Sequence, residues 1–156
     1  MLLAVKRANF IKELRRFRTV GLDSSIFIYH LEDVEPYSDL TEAAFAAFGE
    51  GTPVAVLSTL SVTELLVQPF AARQPDRISA FERFILTLPN TTLVPPSYAI
   101  AKNAARLRAT YRLRTPDALL VATALEAKAD AFLTNDANLR KLKAEGIAIV
   151  VLETYV

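Results

Sequence analysis

The chain has 156 residues, 52% apolar and 22% charged, which supplies the core of one domain and excludes a disordered chain. Cysteine is absent and His30 is the only histidine, so disulfide scaffolds, thiolate zinc sites, cysteine nucleophiles and two-histidine metal motifs are excluded. The net charge of +1 hides an uneven distribution: residues 1–18 carry six basic side chains against one acidic, and the remainder twelve basic against sixteen acidic.

Residues 2–17 bring Leu3, Phe10, Ile11, Leu14 and Phe17 to one helical face, which predicts a basic amphipathic N-terminal helix over 1–18. The short run Thr19-Val20-Gly21-Leu22 predicts a buried strand ending at Asp23, followed by a helix over Ser25–Leu31. After Pro36, apolar residues at helical spacing run from Leu40 to Phe48 and stop at Gly49 and Gly51. Pro53–Leu57 predicts a second strand. Ser58 or Thr59 caps a helix through Glu64 to about Gln68, and Pro69 and Pro75 bound a loop.

A helix from Pro75-Asp76 carries Ile78, Phe81, Phe84, Ile85 and Leu88, and Thr91–Val94 predicts a short strand. Ser97 caps a helix through Tyr111. Thr115-Pro116-Asp117 opens another to about Lys128, with proline in its first turn. Ala131–Thr134 is a predicted strand, Asn138–Lys143 a helix, Gly146 a stop and Ile147–Leu152 a last apolar strand. Short apolar strands alternating with helices predict a single α/β domain over 19–156, with a central parallel sheet of four to five strands flanked by helices.

In such sheets ligands bind at the carboxyl ends of the strands. Asp23 and Asp136 follow predicted strands at that edge. The helix opened by Asp117 descends roughly 18 Å in twelve residues, and the next strand climbs back at about 3.3 Å per residue, returning Asp117 and Asp136 to similar heights. Glu64 lies in the helix after the second strand, and its side chain leans towards the helix N-terminus. Four carboxylates converging there repel one another unless a hard divalent cation binds; absent cysteine and with one histidine, such a metal takes mainly oxygen ligands, as Mg2+ or Mn2+ does. Each acid alone has an ordinary alternative: Asp117 in a first helical turn, Asp136 and Asp23 as caps, Glu64 facing solvent.

Four segments in order, Gly-Leu-Asp-Ser-Ser-Ile-Phe-Ile-Tyr-His-Leu-Glu (21–32), Ser-Thr-Leu-Ser-Val-Thr-Glu-Leu-Leu (58–66), Leu-Arg-Thr-Pro-Asp-Ala-Leu-Leu-Val-Ala-Thr-Ala-Leu (113–125) and Phe-Leu-Thr-Asn-Asp-Ala-Asn-Leu (132–139), resemble the PIN-domain nucleases, most closely the VapC-type toxins of toxin–antitoxin pairs. The resemblance spans Thr19 to Leu152. It implies a PIN-like domain with Asp23, Glu64, Asp117 and Asp136 as the catalytic, metal-binding acids and Ser24 and Thr134 as supporting hydroxyls. It implies Mg2+- or Mn2+-dependent cleavage of single-stranded or structured RNA leaving a 3′-hydroxyl and a 5′-phosphate, a homodimer, and a small antitoxin protein as partner. The N-terminal extension departs from the many such toxins that begin almost at the first strand.

Arg112 and Arg114, just before Asp117, are candidate contacts to RNA phosphates; a solvated helix face explains them equally well. His30, in an apolar helix after Phe27 and Tyr29, is expected to pack rather than act as a base. The surplus of apolar helical positions at Leu40, Ala44, Phe45, Phe48, Phe81, Phe84 and Ile85 predicts a dimer surface. No run approaches the roughly 20 apolar residues of a membrane span, and the start lacks a signal-peptide core, so a cytoplasmic protein is expected. The competing classes are a non-catalytic PIN-like module binding RNA or protein, and a Mg2+-dependent phosphohydrolase with an Asp-x-Asp nucleophile. Against the second, Ser25 stands two residues after Asp23.

Overall fold

Five parallel strands form one sheet in the order β3-β2-β1-β4-β5, in a computed structural model that describes residues Met1–Val156. The strands are β1 (Thr19–Leu22), β2 (Val54–Ser58), β3 (Thr91–Val94), β4 (Ala131–Thr134) and β5 (Ala148–Val151). The helices are α1 (Leu2–Leu14), α2 (Ser24–Leu31), α3 (Tyr37–Gly49), α4 (Leu60–Ala71), α5 (Pro75–Leu86), α6 (Tyr98–Tyr111) and α7 (Thr115–Glu126). None is long and apolar enough to cross a membrane.

Successive strand residues point to opposite faces, which divides the apolar side chains into two cores. Val20, Leu22, Ala131, Leu133 and Val150 pack against α1, α2 and α3, whereas Phe132, Ile149 and Val151 pack against α6 and α7. Gly21 faces α7, where an added Cβ would lie 2.5 Å from the Ala124 Cβ. The missing side chain is what lets α7 lie directly on β1.

The N-terminal helix is integral to the first core: Phe10 and Leu14 are fully buried, and the Phe10 ring lies 5.2 Å from that of Tyr155. Its charged face reaches back to the body through the Arg7–Asp39 ion pair and a Lys6 hydrogen bond to the Val156 carbonyl. The helix ends at Leu14 rather than Phe17, and Leu3 is exposed instead of docked.

Other boundaries also differ from expectation. Pro69 sits inside the last turn of α4, which continues to Ala71, because a proline there interrupts only the final turn and its ring is buried. The segment after β4 is a 3₁₀ helix over Ala137–Glu145 rather than an α-helix, fixed by the Asp136 cap and by Gly146 at φ 82°. The residues expected as surplus dimer surface fill the monomer's own core: Leu40, Ala44, Phe45, Phe48, Phe81 and Ile85 are buried, and Phe84 packs against them. The exposed large apolar residues include Val67 and Phe70 of α4 and Leu86 of α5.

Candidate active site

The chain leaves β1 towards β2 and β3, then returns to place β4 on the other side of β1. The β1–β4 junction is therefore the point where the strand order reverses, the place where open α/β sheets hold ligands. Asp23 follows β1 and Asp136 follows β4, so two of the four acids flank that junction. The close packing of α7 on β1 brings in Asp117 from the first turn of α7, and α4 presents Glu64. All four line one cavity of about 370 Å³, with Ser24, Ser25, Ile28, Tyr29, Arg114 and Asn135.

Asp23 is largely enclosed, and burial raises its pKa above the ordinary 3.8; Asp117 and Glu64 push the same way, while the Thr134 hydroxyl opposes them. Fully buried Thr134 donates from Oγ1 to Asp23 Oδ2 at 2.6 Å and accepts from the Asp136 N–H at 3.1 Å. It thereby ties the two acids flanking the junction. On the α4 side Ser24 Oγ donates to Glu64 Oε1 at 2.9 Å and lies 2.7 Å from Ser61 Oγ. Ser24 has one proton, so Ser61 donates to it in turn. Ser61 was not singled out as a site residue; its spacing three residues before Glu64, on one helical face, is the signal that marks it.

Three of the ordinary alternatives are also present. Asp136 Oδ1 caps the 3₁₀ helix by accepting from the Asn138 N–H at 2.9 Å. Asp117 Oδ2 accepts from Arg114 Nε at 3.2 Å, an interaction that raises the Arg114 pKa. Asp23 occupies the N-cap position of α2 without a side-chain capping bond, and Glu64 is exposed to the cavity it lines. Arg114 is the only cation lining the cavity. Arg112, at the left-handed C-cap of α6, is exposed and outside that lining. His30 lies outside the cavity too, half-buried between Phe45 and Phe84 at ring distances of 4.7 and 5.1 Å, and burial lowers its pKa.

The acids share the cavity without closing into a cage: no three acidic or histidine side chains are gathered tightly enough to hold an ion as they stand. The donor set nevertheless fits Mg2+ or Mn2+. It is all oxygen, one buried carboxylate is burdened by like-charged neighbours, and an arginine already stands among the acids as a counter-charge. Mg2+ keeps several waters and takes one or two carboxylates directly, so it does not require a preformed cage.

Fold and cavity together define an acidic, oxygen-donor site at the switch point of a parallel α/β domain. A family model for the PIN domain matches residues 20–145, and the chain belongs to that family. Solved structures that share the fold include the following three. VapBC2 from Rickettsia felis, bound to a DNA fragment from their promoter, aligns with a TM-score of 0.67 at 12% identity over 84% of this chain and 96% of that one. A toxin–antitoxin complex from Klebsiella pneumoniae gives 0.60 at 22% identity over 86% and 97%. DNA-bound VapBC from Salmonella typhimurium gives 0.59 at 15% identity over 86% and 98%. No curated protein matches by sequence.

Proposed function

We propose that the protein is a Mg2+- or Mn2+-dependent endoribonuclease of the VapC type, the toxin of a toxin–antitoxin pair. The observation that carries this reading is the convergence of Asp23, Glu64, Asp117 and Asp136, from four separate elements, on one cavity at the β1–β4 switch point. Membership of the PIN family and the fold shared with toxin–antitoxin complexes support it.

Asp23, Asp117 and Asp136 would hold the divalent ion, directly or through water. When bound, the ion supplies a water of lowered pKa and stabilises charge developing on the phosphate. Glu64, oriented by the Ser61–Ser24 hydroxyl relay, positions the attacking water. Attack forms the new bond to phosphorus and breaks the bond to the 3′-oxygen, leaving a 3′-hydroxyl and a 5′-phosphate. Arg114, released from Asp117 as other positive charge takes its place, contacts a substrate phosphate.

A short RNA incubated with the protein should be cut in Mg2+ or Mn2+ and left intact in EDTA. Asp23→Asn should lower the rate by at least about a hundredfold, the usual cost of losing a preorganised electrostatic group. Cutting unaffected by EDTA would remove the mechanism. Absence of cutting, with RNA binding retained, would favour the non-catalytic module.

A small antitoxin is the proposed protein partner and a homodimer the proposed assembly. Val67, Phe70 and Leu86 are 60%, 61% and 72% exposed on the α4–α5 pair and supply apolar surface for self-association. Light scattering at micromolar concentration should return twice the chain mass and Phe70→Glu a lower value; a monomer in both would exclude the dimer.

A further inference from the structure

The lining of the acidic cavity is chemically lopsided. Arg114 supplies its only positive charge, and its two hydrophobic lining residues, Ile28 and Tyr29, both lie on α2. Ser25, Ile28 and Tyr29 follow one another at the spacing of a single helical face, so one stripe of α2 forms that wall. Ser25 Oγ is the one buried side-chain polar atom without a hydrogen-bond partner.

The Tyr29 ring is held in place by more than its own helix. It stacks on Tyr37 at 4.7 Å with an interplanar angle of 25°. Its hydroxyl accepts from Asn135 Nδ2 at 3.2 Å, and Asn135 Oδ1 accepts from the Glu153 N–H at 2.8 Å. Tyr37 donates to the Glu153 carboxylate. Two tyrosines, the residue between Thr134 and Asp136, and the C-terminal turn thus form one network. A fixed ring at the rim of a polar cavity is the form of a stacking platform, because every base has a π-face and stacking asks for no sequence.

We propose that Tyr29, with Ile28 beside it and Tyr37 behind it, binds an unpaired nucleobase next to the phosphate held at the acids. The inference rests on the nuclease reading for the identity of the strand and adds a residue of this chain that sets where an unpaired strand lies. A duplex keeps its bases within its own stack, where this wall does not reach them. Tyr29 is a positioning residue, setting where the strand lies while the acids and Arg114 engage the phosphate.

The test uses the full chain, Ca2+ in place of Mg2+ to neutralise the acids while disfavouring cutting, and a short oligouridylate carrying one 2-aminopurine, whose fluorescence is quenched by stacking. Anisotropy reports binding and intensity reports stacking. Wild type should quench the probe on binding. Tyr29→Leu should bind about tenfold more weakly and quench little, within the range expected for losing one stacked base. Tyr29→Phe keeps the aromatic face and should retain both signals. Tyr98→Leu, at an exposed aromatic outside the cavity lining, should behave as wild type. An abasic nucleotide in place of the probe should cost wild type the same tenfold and Tyr29→Leu nothing further, a comparison that needs only folded wild type for its first half.

Equal quenching by wild type and Tyr29→Leu, an abasic strand that binds as tightly as the intact one, or no binding at all would overturn the proposal. Cleavage in Mg2+ is scored separately. Quenching without cleavage keeps the platform and removes the nuclease; cleavage with the same KM in wild type and Tyr29→Leu keeps the nuclease and removes the platform.

Discussion

At the scale of single residues, the carboxylate at position 23 couples the site to stability. Burial lifts its pKa above 3.8, the Thr134 hydroxyl offsets part of the lift, and Asp117 and Glu64 add to it. Between the unfolded and folded pKa values the folded protein retains a proton that the unfolded chain releases. The contribution of Asp23 is therefore fully present below about pH 4 and lost as pH rises through its folded pKa. Asparagine cannot make that loss. In EDTA, urea titrations across this window should show Asp23→Asn gaining stability relative to wild type as pH rises; parallel stabilities at all pH values would show that Asp23 is not strained. The four acids are visible in the sequence because each falls beside a strand end or a short helical signature. Asn135 and Tyr29 are not, because what ties them to the site is a partner from another element, Tyr29 and Glu153 for Asn135 and Tyr37 for Tyr29, while Ser61 is marked only by its place one helical turn before Glu64. Glu64 stands beside Leu65 and Leu66 in the sequence, yet those two turn inwards on α4 while it faces the open cavity.

At the scale of elements, the contact of α7 with β1 sets the site's dimensions. Asp117 rides on α7 and Asp23 follows β1, so the gap between those acids depends on how closely helix meets strand. Gly21 permits that approach, with Ala124 directly above it. Gly21→Ala forces two β-carbons towards 2.5 Å unless α7 moves. Overpacking of this kind costs about 1–3 kcal/mol. The variant is expected to melt lower and to cleave RNA more slowly even where it remains folded, through displacement of Asp117; full cleavage with an unchanged melting temperature would show that α7 has slack. Strands and helix starts are legible because short apolar runs, Ser97 and the Thr115-Pro116 pair each act locally. The end of α1, the continuation of α4 through Pro69 and the 3₁₀ form of residues 137–145 depend on neighbours, and there the local pattern falls short. The N-terminal helix shows the same divide: its amphipathic stripe predicts docking, but burial of Phe10 and Leu14 rather than Leu3 follows from where α3 and the C-terminal turn lie.

At the scale of the whole molecule, a parallel sheet of four to five strands is readable from apolar runs, whereas the order β3-β2-β1-β4-β5 is not written in any one segment. That order gathers acids from distant parts of the chain, and it gives the site a global signature: an ion held by Asp23, Asp117 and Asp136 would link the ends of β1 and β4 to the start of α7. A ligand that binds only the folded state at a hundred times its Kd stabilises it by about 2.7 kcal/mol. For a domain of this size that is a rise in melting temperature of roughly 5–10 °C. Millimolar Mg2+ or Mn2+ should produce such a rise in wild type and a much smaller one in Asp117→Asn. Without metal the substitution removes one of the charges that burden Asp23, at the expense of a pair with Arg114 whose side chain is 80% exposed and whose contribution is small. In EDTA the variant should therefore melt at the same temperature as wild type or higher. If Asp117 serves only the start of α7, asparagine costs a few tenths of a kcal/mol through the helix dipole, and metal shifts both proteins alike. Scanning calorimetry with and without the ion separates the two cases, and equal metal shifts would dissolve the shared site while leaving the fold untouched.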